Sequence, residues 1–333
     1  MKFPQMLNAA LRRRLDAAVG LPGLPMSSDA RLRLDAAENL FFLRQLELIE
    51  SRSFMVDYPE LKSERLIPTR TNYAPGAVKL TYRQYDRVGK AKVISDKSKR
   101  LPRVDVFGRE YPVGVRPLGA SFGYSIYEIK GASMAGEPLE QMRANACRET
   151  IMRLLEDIAA VGDSESGIKG LLNNSAINSA TAPNGASLSP LWSTKTPLEK
   201  LADLNYLSTQ VRSQTLGIEA PDTVVMDEEA YTDIATTPIG DNTDKTILTF
   251  FMTGQPWIRN VESWHYCATA GAGGTRRLLG YRRDPSKVEM RNPHGYEQLP
   301  PQLMGLEYEV NTHMSTAGVT LYKPLSAYAL DGI

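Results

Sequence analysis

Residues 305–333 read GLEYEVNTHMSTAGVTLYKPLSAYALDGI and are the most informative stretch of the chain. They contain two strand-like runs, at residues 306–312 and 318–322. Lys323-Pro324 then breaks the pattern, and a short apolar-aromatic tail follows. This ending predicts a sheet that closes a domain. The segments upstream of it indicate which kind of domain that is.

The composition predicts a folded protein with a large core. The chain has 333 residues, of which 42% are hydrophobic, and this length favours two subdomains. The net charge is +1, so it demands neither a nucleic acid nor an anionic membrane as partner. Cys147 and Cys267 are too few for a disulfide framework, which indicates a reducing compartment. We expect no signal peptide, and no run of about 18 apolar residues could span a bilayer.

Residues 1–60 are predicted to form an N-terminal arm. Helix-compatible segments at 6–18 and 28–52 flank a breaker rich in Gly and Pro. The second segment carries an apolar face that includes Phe41 and Phe42. These two residues are candidate contacts with neighbouring subunits. The equal alternative is that the segment is an ordinary core helix, whose apolar face packs within its own subunit.

Residues 79–103 are predicted to form a long β-hairpin that projects from the body. The stretch holds nine basic residues against two acidic ones, and its centre is too polar for any core. Strand-like alternation also follows it, through Phe122, Tyr124 and Ile126. The candidate inter-subunit contacts on the hairpin are Tyr82, Tyr85, Lys97, Lys99 and Arg100.

Residues 213–244 have the opposite charge, with eight acidic residues and no Lys or Arg. A single domain can carry such a segregation of charge without any function. In an assembling protein, complementary patches set the orientation of partners and their rate of encounter. We therefore expect the basic hairpin to dock onto the acidic surface of another copy, with Glu228 and Glu229 as candidate contacts.

The clearest helix signal spans residues 138–161. It starts at a first-turn proline, and its apolar residues recur at spacings of three and four. The predicted buried stripe is Ala144, Cys147, Ile151, Leu154, Ile158 and Val161. Further on, Thr196-Pro197-Leu198-Glu199 predicts a capping box that opens a helix reaching residue 216. A short buried strand at 222–226 and a helix at 227–236 are expected to follow.

Residues that could carry chemistry do not form a recognisable set. His265, His294 and His313 are widely spaced, whereas a metal site needs three or four donors at set spacings. The glycine-rich turn at 271–276 lacks the spacing of phosphate-binding loops, and no stretch completes a nucleophile elbow. We expect no catalytic residue, no metal site and no cofactor.

The order of these parts resembles the major capsid proteins of tailed bacteriophages with the Hong Kong 97-type fold. The parts are the arm, the basic hairpin, the long helix, the GIKGLLN run at 167–173, a compact α/β segment and the KPLSAY ending. The resemblance covers essentially the whole chain. It rests on architecture, since no single short motif of this family is diagnostic.

The resemblance implies an α+β fold of the HK97-like type with an N-terminal arm, an extended β-hairpin loop, a peripheral domain with a long spine helix, and an axial domain. The implied divisions are the arm at 1–60, the extended loop and peripheral-domain strands at 61–130, the spine helix and following loop at 131–196, the axial domain at 197–285, and C-terminal strands at 286–333 that return to the peripheral and axial domains.

The resemblance also implies a function. The chain would self-assemble into pentamers and hexamers of an icosahedral head around a double-stranded DNA genome, in the host bacterial cytoplasm, and would reside in the virion. Expected partners are other copies of the chain, portal and scaffolding proteins, and, as a further candidate, a decoration protein. Packaged DNA would be contacted without sequence specificity, with Arg12, Arg13 and Arg14 as candidate DNA-facing residues. No membrane partner is expected.

Two other functions remain open at this point. The first is an encapsulin-type bacterial nanocompartment, whose shell uses the same fold to enclose enzymes. The second is a soluble α/β enzyme that binds an anionic substrate through the loop at Gly271.

Overall fold

The computed structural model describes residues 58–74, 76–93, 102–135, 139–240 and 243–333. Their helices are α1 (Ser63–Leu66), α2 (Ile126–Ala135), α3 (Leu139–Ala160), α4 (Pro197–Gln214), α5 (Glu228–Thr236) and α6 (Ile247–Gly254). Their strands are β1 (Thr69–Arg70), β2 (Lys79–Val88), β3 (Asp105–Gly114), β4 (Arg116–Ser125), β5 (Gly162–Asp163), β6 (Ile168–Lys169), β7 (Asn178–Thr181), β8 (Thr223–Met226), β9 (Asn260–Ser263), β10 (Arg277–Tyr281), β11 (Val288–Arg291), β12 (His294–Gln298), β13 (Gln302–Met304), β14 (Glu307–Thr316), β15 (Val319–Leu321) and β16 (Ala327–Asp331). The helices predicted for the arm lie outside the described residues.

A five-stranded mixed sheet forms the centre of the unit Glu60–Ile333. Its strand order is β7-β16-β10-β8-β9, so the last strand of the chain lies in the interior of the sheet. Strand β16 runs parallel to β7 and antiparallel to β10. The predicted strand at 222–226 is confirmed as β8, and the apolar tail after Lys323-Pro324 is confirmed as a closing strand.

Both faces of this sheet are buried, each against its own core cluster. Successive side chains of a strand point to opposite sides, so the three central strands contribute to both clusters. Val225, Leu279 and Ala329 are aligned across three strands and belong to one core cluster, which also contains residues of α3. Leu278 and Leu330 point the other way, into a second cluster built with α4, α5 and α6. The sheet is therefore the shared wall of two hydrophobic cores.

Helix α4 approaches the sheet closely at one glycine. A Cβ on Gly280 would lie 2.9 Å from a methyl carbon of Leu207, which is too short for a real contact. The helix itself begins as predicted, because the Glu199 carboxylate accepts hydrogen bonds from the Thr196 backbone N–H (2.8 Å) and hydroxyl (3.0 Å). These bonds, with one from the Ala186 N–H, hold the pKa of Glu199 below its usual value. The predicted capping box is confirmed.

A second sheet also packs against α3. Strands β4 and β14 pair antiparallel over their full lengths, from Glu307 opposite Ser125 to Thr316 opposite Arg116. Strands β12 and β13 pair with the far edge of β14. The predicted run at 306–312 is therefore confirmed, and it continues to Thr316. A smaller sheet of order β1-β11-β15 completes the strands of the C-terminal region.

The strand predicted through Phe122, Tyr124 and Ile126 is wrong at its end, because helix α2 begins at Ile126. Ser125 and Glu128 form a capping box at this point. The Ser125 N–H donates to Glu128 (2.9 Å), and the Glu128 N–H donates to the Ser125 hydroxyl (3.1 Å). The Ser-x-x-Glu spacing was the available signal, and it outweighs the alternation of apolar residues.

The predicted long helix is confirmed as α3, but its buried stripe differs. Cys147, Ile151 and Ile158 are buried as predicted, whereas Leu154 and Val161 are largely exposed. At about 100° per residue, Leu155 lies closer to the direction of Ile151 than Leu154 does, and Leu155 is buried instead. Val161 follows the last residue of the helix. The face that meets the sheets therefore follows an i,i+4 row.

The GIKGLLN run closes the end of α3. The N–H groups of Leu171 and Leu172 donate to the carbonyls of Ala159 and Ala160, each at 2.8 Å. The last turn of a helix leaves such carbonyls without partners, and these bonds supply them. Gly170 permits the approach, because a Cβ there would lie 2.5 Å from the Ala160 oxygen.

One carboxylate is buried on the apolar face of α3. Glu156 is 2% exposed. Its carboxylate accepts one hydrogen bond of 2.9 Å from the backbone N–H of Lys62 and another of 2.9 Å from that of Ser63. It also accepts one from the indole N–H of Trp264 at 2.8 Å. These bonds join the start of α1, the helix α3 and the end of β9 at one point.

Replacing Glu156 by Ala should lower the free energy of unfolding of the unassembled subunit by about 3 kcal/mol or more. The change orphans several buried N–H donors that now bond to a charged acceptor. Urea titration would measure the loss. Glu149→Ala is the matched control on the same helix, because Glu149 is half exposed and its ion pair with Arg153 lies at the surface. It should cost no more than about 0.5 kcal/mol, and equal effects of the two changes would contradict this role of Glu156.

Candidate assembly surface

The predicted hairpin is confirmed as a two-stranded ribbon of β2 and β3, although its second strand begins at Asp105, beyond the predicted stretch 79–103. The polar centre of that stretch, where the hairpin is predicted to leave the body, lies outside the described residues. The strands pair antiparallel from Lys79 opposite Gly114 to Val88 opposite Asp105. Most side chains on both of its faces are exposed. A two-stranded ribbon has little stability of its own in water, so an arrangement of this kind depends on contacts at its root and along its length.

The root of the ribbon is anchored by an aromatic cluster within the same chain. Tyr82 stacks on its cross-strand neighbour Tyr111, with ring centroids 5.1 Å apart. It also meets Tyr322 edge-on at 4.9 Å. The guanidinium of Arg291 lies 5.7 Å from the Tyr82 ring centroid and 5.8 Å from that of Tyr322. Aromatic and cation–π contacts of this geometry stabilise by about 0.5–1.5 kcal/mol each.

Tyr322 is itself held in place by the small sheet. Its hydroxyl donates to the buried carboxylate of Glu289 at 2.7 Å. Burial first, and then this hydrogen bond, raise the pKa of Tyr322. Arg291 is buried too, and donates to the Thr320 hydroxyl at 2.9 Å. The final strands of the chain thus set the position of the ribbon.

Beyond this root the ribbon exposes a group of large apolar side chains. The exposed apolar residues of the outer half are Tyr85, Val88, Val104, Val106 and Phe107. Phe107 is 57% exposed, and the residue directly opposite it on β2 is Asp86. Val88 and Phe107 lie on one face of the ribbon, and Tyr85 and Val106 lie on the other. Exposed apolar residues on a protruding element are typical of a surface that another molecule covers.

The predicted contact residues fall into different places. Tyr82 is partly buried and anchors the ribbon to its own subunit, whereas Tyr85 is 65% exposed. Whether either residue contacts a neighbouring copy stays a prediction. The other candidates of the arm and the hairpin tip lie outside the described residues; these are Arg12, Arg13, Arg14, Phe41, Phe42, Lys97, Lys99 and Arg100.

Four of the eight acidic residues at 213–244 form ion pairs with basic residues of the same subunit. Asp233 pairs with Lys200 at 2.6 Å, and Glu219 pairs with Lys287 and with Arg282. Arg276 contacts both Asp227 and Glu229. The sequence could not show these pairs because their basic partners lie far away in the chain. Glu228 and Glu229 are both exposed in the first turn of α5, and their contact with another copy stays a prediction.

One backbone N–H of the glycine-rich turn at 271–276 is bonded to an acidic side chain of the same chain. The N–H of Ala272 donates to the Asp331 carboxylate at 3.1 Å. Asp331 also pairs with Arg277 at 2.7 Å. Because a carboxylate takes the N–H that a phosphate would need, this turn is poorly suited to an anionic substrate.

Two of the three histidines lie close together in the fold, although they are well separated in the sequence. His265 lies in a short 3₁₀-helix and contacts the ring of Tyr266. His294 and His313, by contrast, come together with ring centroids 4.8 Å apart, and Glu297 lies beside them.

Within the described ranges, no helix combines the length and apolar character needed to cross a membrane.

Several solved structures have a fold similar to that of this chain. The capsid of Myoviridae phage XM1 is similar with a TM-score of 0.77 at 19% identity, covering 87% of this chain and 98% of that one. The structure of Mycobacterium phage Bobi gives 0.58 at 12% identity, with 86% and 94% covered. A virus-like particle from Pyrococcus furiosus gives 0.50 at 13%, with 80% and 91% covered. The chain has the HK97-like fold that phage capsid proteins share.

The family follows from the sequence itself. The model of the major capsid protein family matches residues 89–333, well over half of the chain. No curated protein matches the sequence. This chain belongs to the major capsid protein family, and it is a viral structural protein of the bacteriophage capsid type.

Replacing Tyr82 by Ala should loosen the root of the ribbon in the unassembled subunit. The change removes both the Tyr111 stack and the Tyr322 contact, so local opening of β2 and β3 should become several-fold more frequent. Limited trypsin digestion, with mass spectrometry of cleavage after Arg83 and Arg109, would measure it. Tyr82→Phe keeps the ring and should behave as wild type. Unchanged cleavage in Tyr82→Ala would contradict the anchor.

Proposed function

We propose that this chain is the major capsid protein of a tailed phage, which assembles as pentamers and hexamers into an icosahedral head around double-stranded DNA. The observation that carries the proposal is the ribbon of β2 and β3, which is anchored at its root and exposes apolar side chains beyond it. Membership of the major capsid protein family supports the same conclusion.

In this proposal the ribbon lies over a neighbouring copy of the chain. Covering a fully exposed Phe side chain stabilises by about 1.5–3 kcal/mol, and Phe107, which is already partly covered, would contribute the lower part of that range. That is modest for one contact, but each subunit of a closed shell makes and receives the same contact. Repetition over many subunits turns weak contacts into a stable assembly.

The remaining parts receive corresponding roles. The arm at 1–60 would contact neighbours through Phe41 and Phe42. The peripheral domain would contain α3, and the axial domain, at about 197–285, would meet its copies at the five-fold and six-fold centres. The domain divisions inferred from the sequence stay predictions. Portal, scaffolding and decoration proteins are the proposed partners, and assembly would take place in the host bacterial cytoplasm.

Contact with the packaged genome would be non-specific. Arg12, Arg13 and Arg14 are proposed to face the interior, where phosphate groups lie close to the shell. A cryo-electron microscopy map of a filled particle would locate them, and their appearance on the outer surface would refute this role.

A nanocompartment shell is the second candidate, favoured by the similarity to the virus-like particle from Pyrococcus furiosus. Catalysis is not part of the proposed function. The family and the fold are those of a structural protein, and the turn once considered for an anionic substrate already binds Asp331.

Electron microscopy of the purified full chain, combined with sizing and the ratio of absorbance at 260 and 280 nm, tests the proposal. Closed particles, or pentamers and hexamers, are expected. Particles from infected cells should contain nucleic acid, whereas a nanocompartment should co-purify with a cargo protein. A monomer that never assembles under any condition would refute both shell functions.

Replacing the exposed Phe107 by Asp should prevent particle formation while leaving the subunit folded. The charge would have to be buried against the neighbouring copy, and the cost recurs at every subunit contact. Sedimentation velocity would measure assembly, and circular dichroism would report the fold. Phe107→Leu keeps an apolar side chain and should still assemble. Normal particles from Phe107→Asp would show that the ribbon makes no such contact.

Reversing the charges of Lys97, Lys99 and Arg100 together should block assembly if the hairpin tip docks on the acidic surface of another copy. Like charges would then face each other across the interface. Adding Glu228→Lys and Glu229→Lys to this variant should restore particles at least in part. Particle yield by sedimentation is the readout, and normal yield from the triple reversal alone would exclude this docking.

A further inference from the structure

Three side chains with metal-binding groups converge on one face of the sheet that contains β12 and β14. They are His294, Glu297 and His313, and their donor atoms all lie within 4.8 Å of one another. His294 Nε2 lies 2.8 Å from Glu297 Oε2. No other group of three His, Cys, Asp or Glu side chains approaches this closely within the ranges that the structure describes.

A β-bulge creates this convergence. In a regular strand, residues three positions apart point to opposite faces. Here His294 pairs with Ser315 and Glu297 pairs with His313, so three steps along β12 match only two along β14. The extra residue of a bulge turns the following side chains around. Both His294 and Glu297 therefore lie on the face that carries His313.

The opposite face of the same strands is filled by the core. Thr312 and Met314, on either side of His313, are buried, and Tyr296 packs against the core cluster of α3. Arg148 of that helix lies 5.7 Å from the Tyr296 ring centroid. The three candidate ligands thus project away from α3. On the adjacent strand β4, Gly119 is paired with His313 and adds no side chain that could fill the space.

One of the candidate ligand atoms, His294 Nε2, lacks a hydrogen-bond partner within the described residues. This atom is buried, and the Glu297 carboxylate is close to it. If Nε2 carries its lone pair, the carboxylate at this distance repels it. A cation between the two groups would remove the repulsion, and so would a proton on the imidazole.

We propose that His294, Glu297 and His313 bind one divalent transition-metal ion, with Zn²⁺ as the preferred ion. Two imidazole nitrogens and one carboxylate oxygen are a donor set that Zn²⁺ uses readily. Bonds of about 2.0–2.1 Å in a tetrahedral arrangement place donor atoms roughly 3.3 Å apart. The observed separations, up to 4.8 Å, require only small movements of the side chains. Water would complete the coordination.

Such an ion would join β12 to β14 next to the bulge, where the ladder is irregular. The bound subunit should therefore unfold at a higher temperature than the metal-free one, by an amount that grows with metal concentration. The site does not depend on the assembly proposed above, since all three ligands come from one chain.

The test uses the full-length, unassembled subunit stripped of metal with EDTA. Calorimetric titration with ZnCl₂ should give about one ion per chain, and Co²⁺ should produce the visible absorption of a four-coordinate site. His313→Ala should weaken binding at least 100-fold. Glu297→Gln, at a half-exposed position, should fold normally and weaken binding about 10-fold. His265→Ala removes the histidine outside the cluster and should bind as wild type.

Two results would overturn the proposal. The first is the absence of saturable Zn²⁺ binding by the wild-type subunit. If the thermal stability then varied with pH through the histidine range, and lost that variation in His313→Ala, a protonated histidine pair would be the correct explanation. The second is Zn²⁺ binding that is equally strong in wild type, Glu297→Gln and His313→Ala, since the ion would then be held elsewhere.

Discussion

The buried carboxylate of Glu156 is the constraint on which the arrangement of the subunit depends. A charge on the apolar face of α3 is tolerable only because N–H groups from the start of α1 and from Trp264 surround it. Lys62 adds a second link, since its ammonium group donates to the carbonyl and hydroxyl of Ser263. The place where the chain enters the folded unit is thereby tied to the long helix and to the edge of the central sheet.

From this point the structure extends in two directions with different physical character. Inward, the central sheet separates two cores and takes the last strand of the chain into its interior. Outward, the ribbon of β2 and β3 is attached through Tyr82 and Tyr322 and is otherwise open to solvent. A folded body that carries a ribbon of little stability of its own is suited to a shell, in which a neighbouring copy would stabilise the ribbon.

The sequence predicted the elements whose signals are local. The capping box at Thr196 and Glu199 and the period of α3 each depend on neighbouring residues. It did not predict what depends on distant partners, such as the burial of Glu156 or the pairing of Glu219 with Lys287. Nor did it reveal the bulge that brings His294 close to His313, because nothing in the sequence indicates that these two separated residues lie on paired strands. The burial of Leu155 in place of Leu154 likewise depends on where the sheets meet the helix.

Hydrogen–deuterium exchange, compared between the unassembled subunit and the closed particle, tests the central claim most directly. If the ribbon lies over a neighbour, amides in its outer half, at residues 85–88 and 105–108, should exchange many-fold more slowly in the particle. Amides of the buried strand β8 should be protected in both states and serve as the internal reference. Particles in which the ribbon exchanges as fast as in the free subunit would contradict the claim that this ribbon joins the subunits.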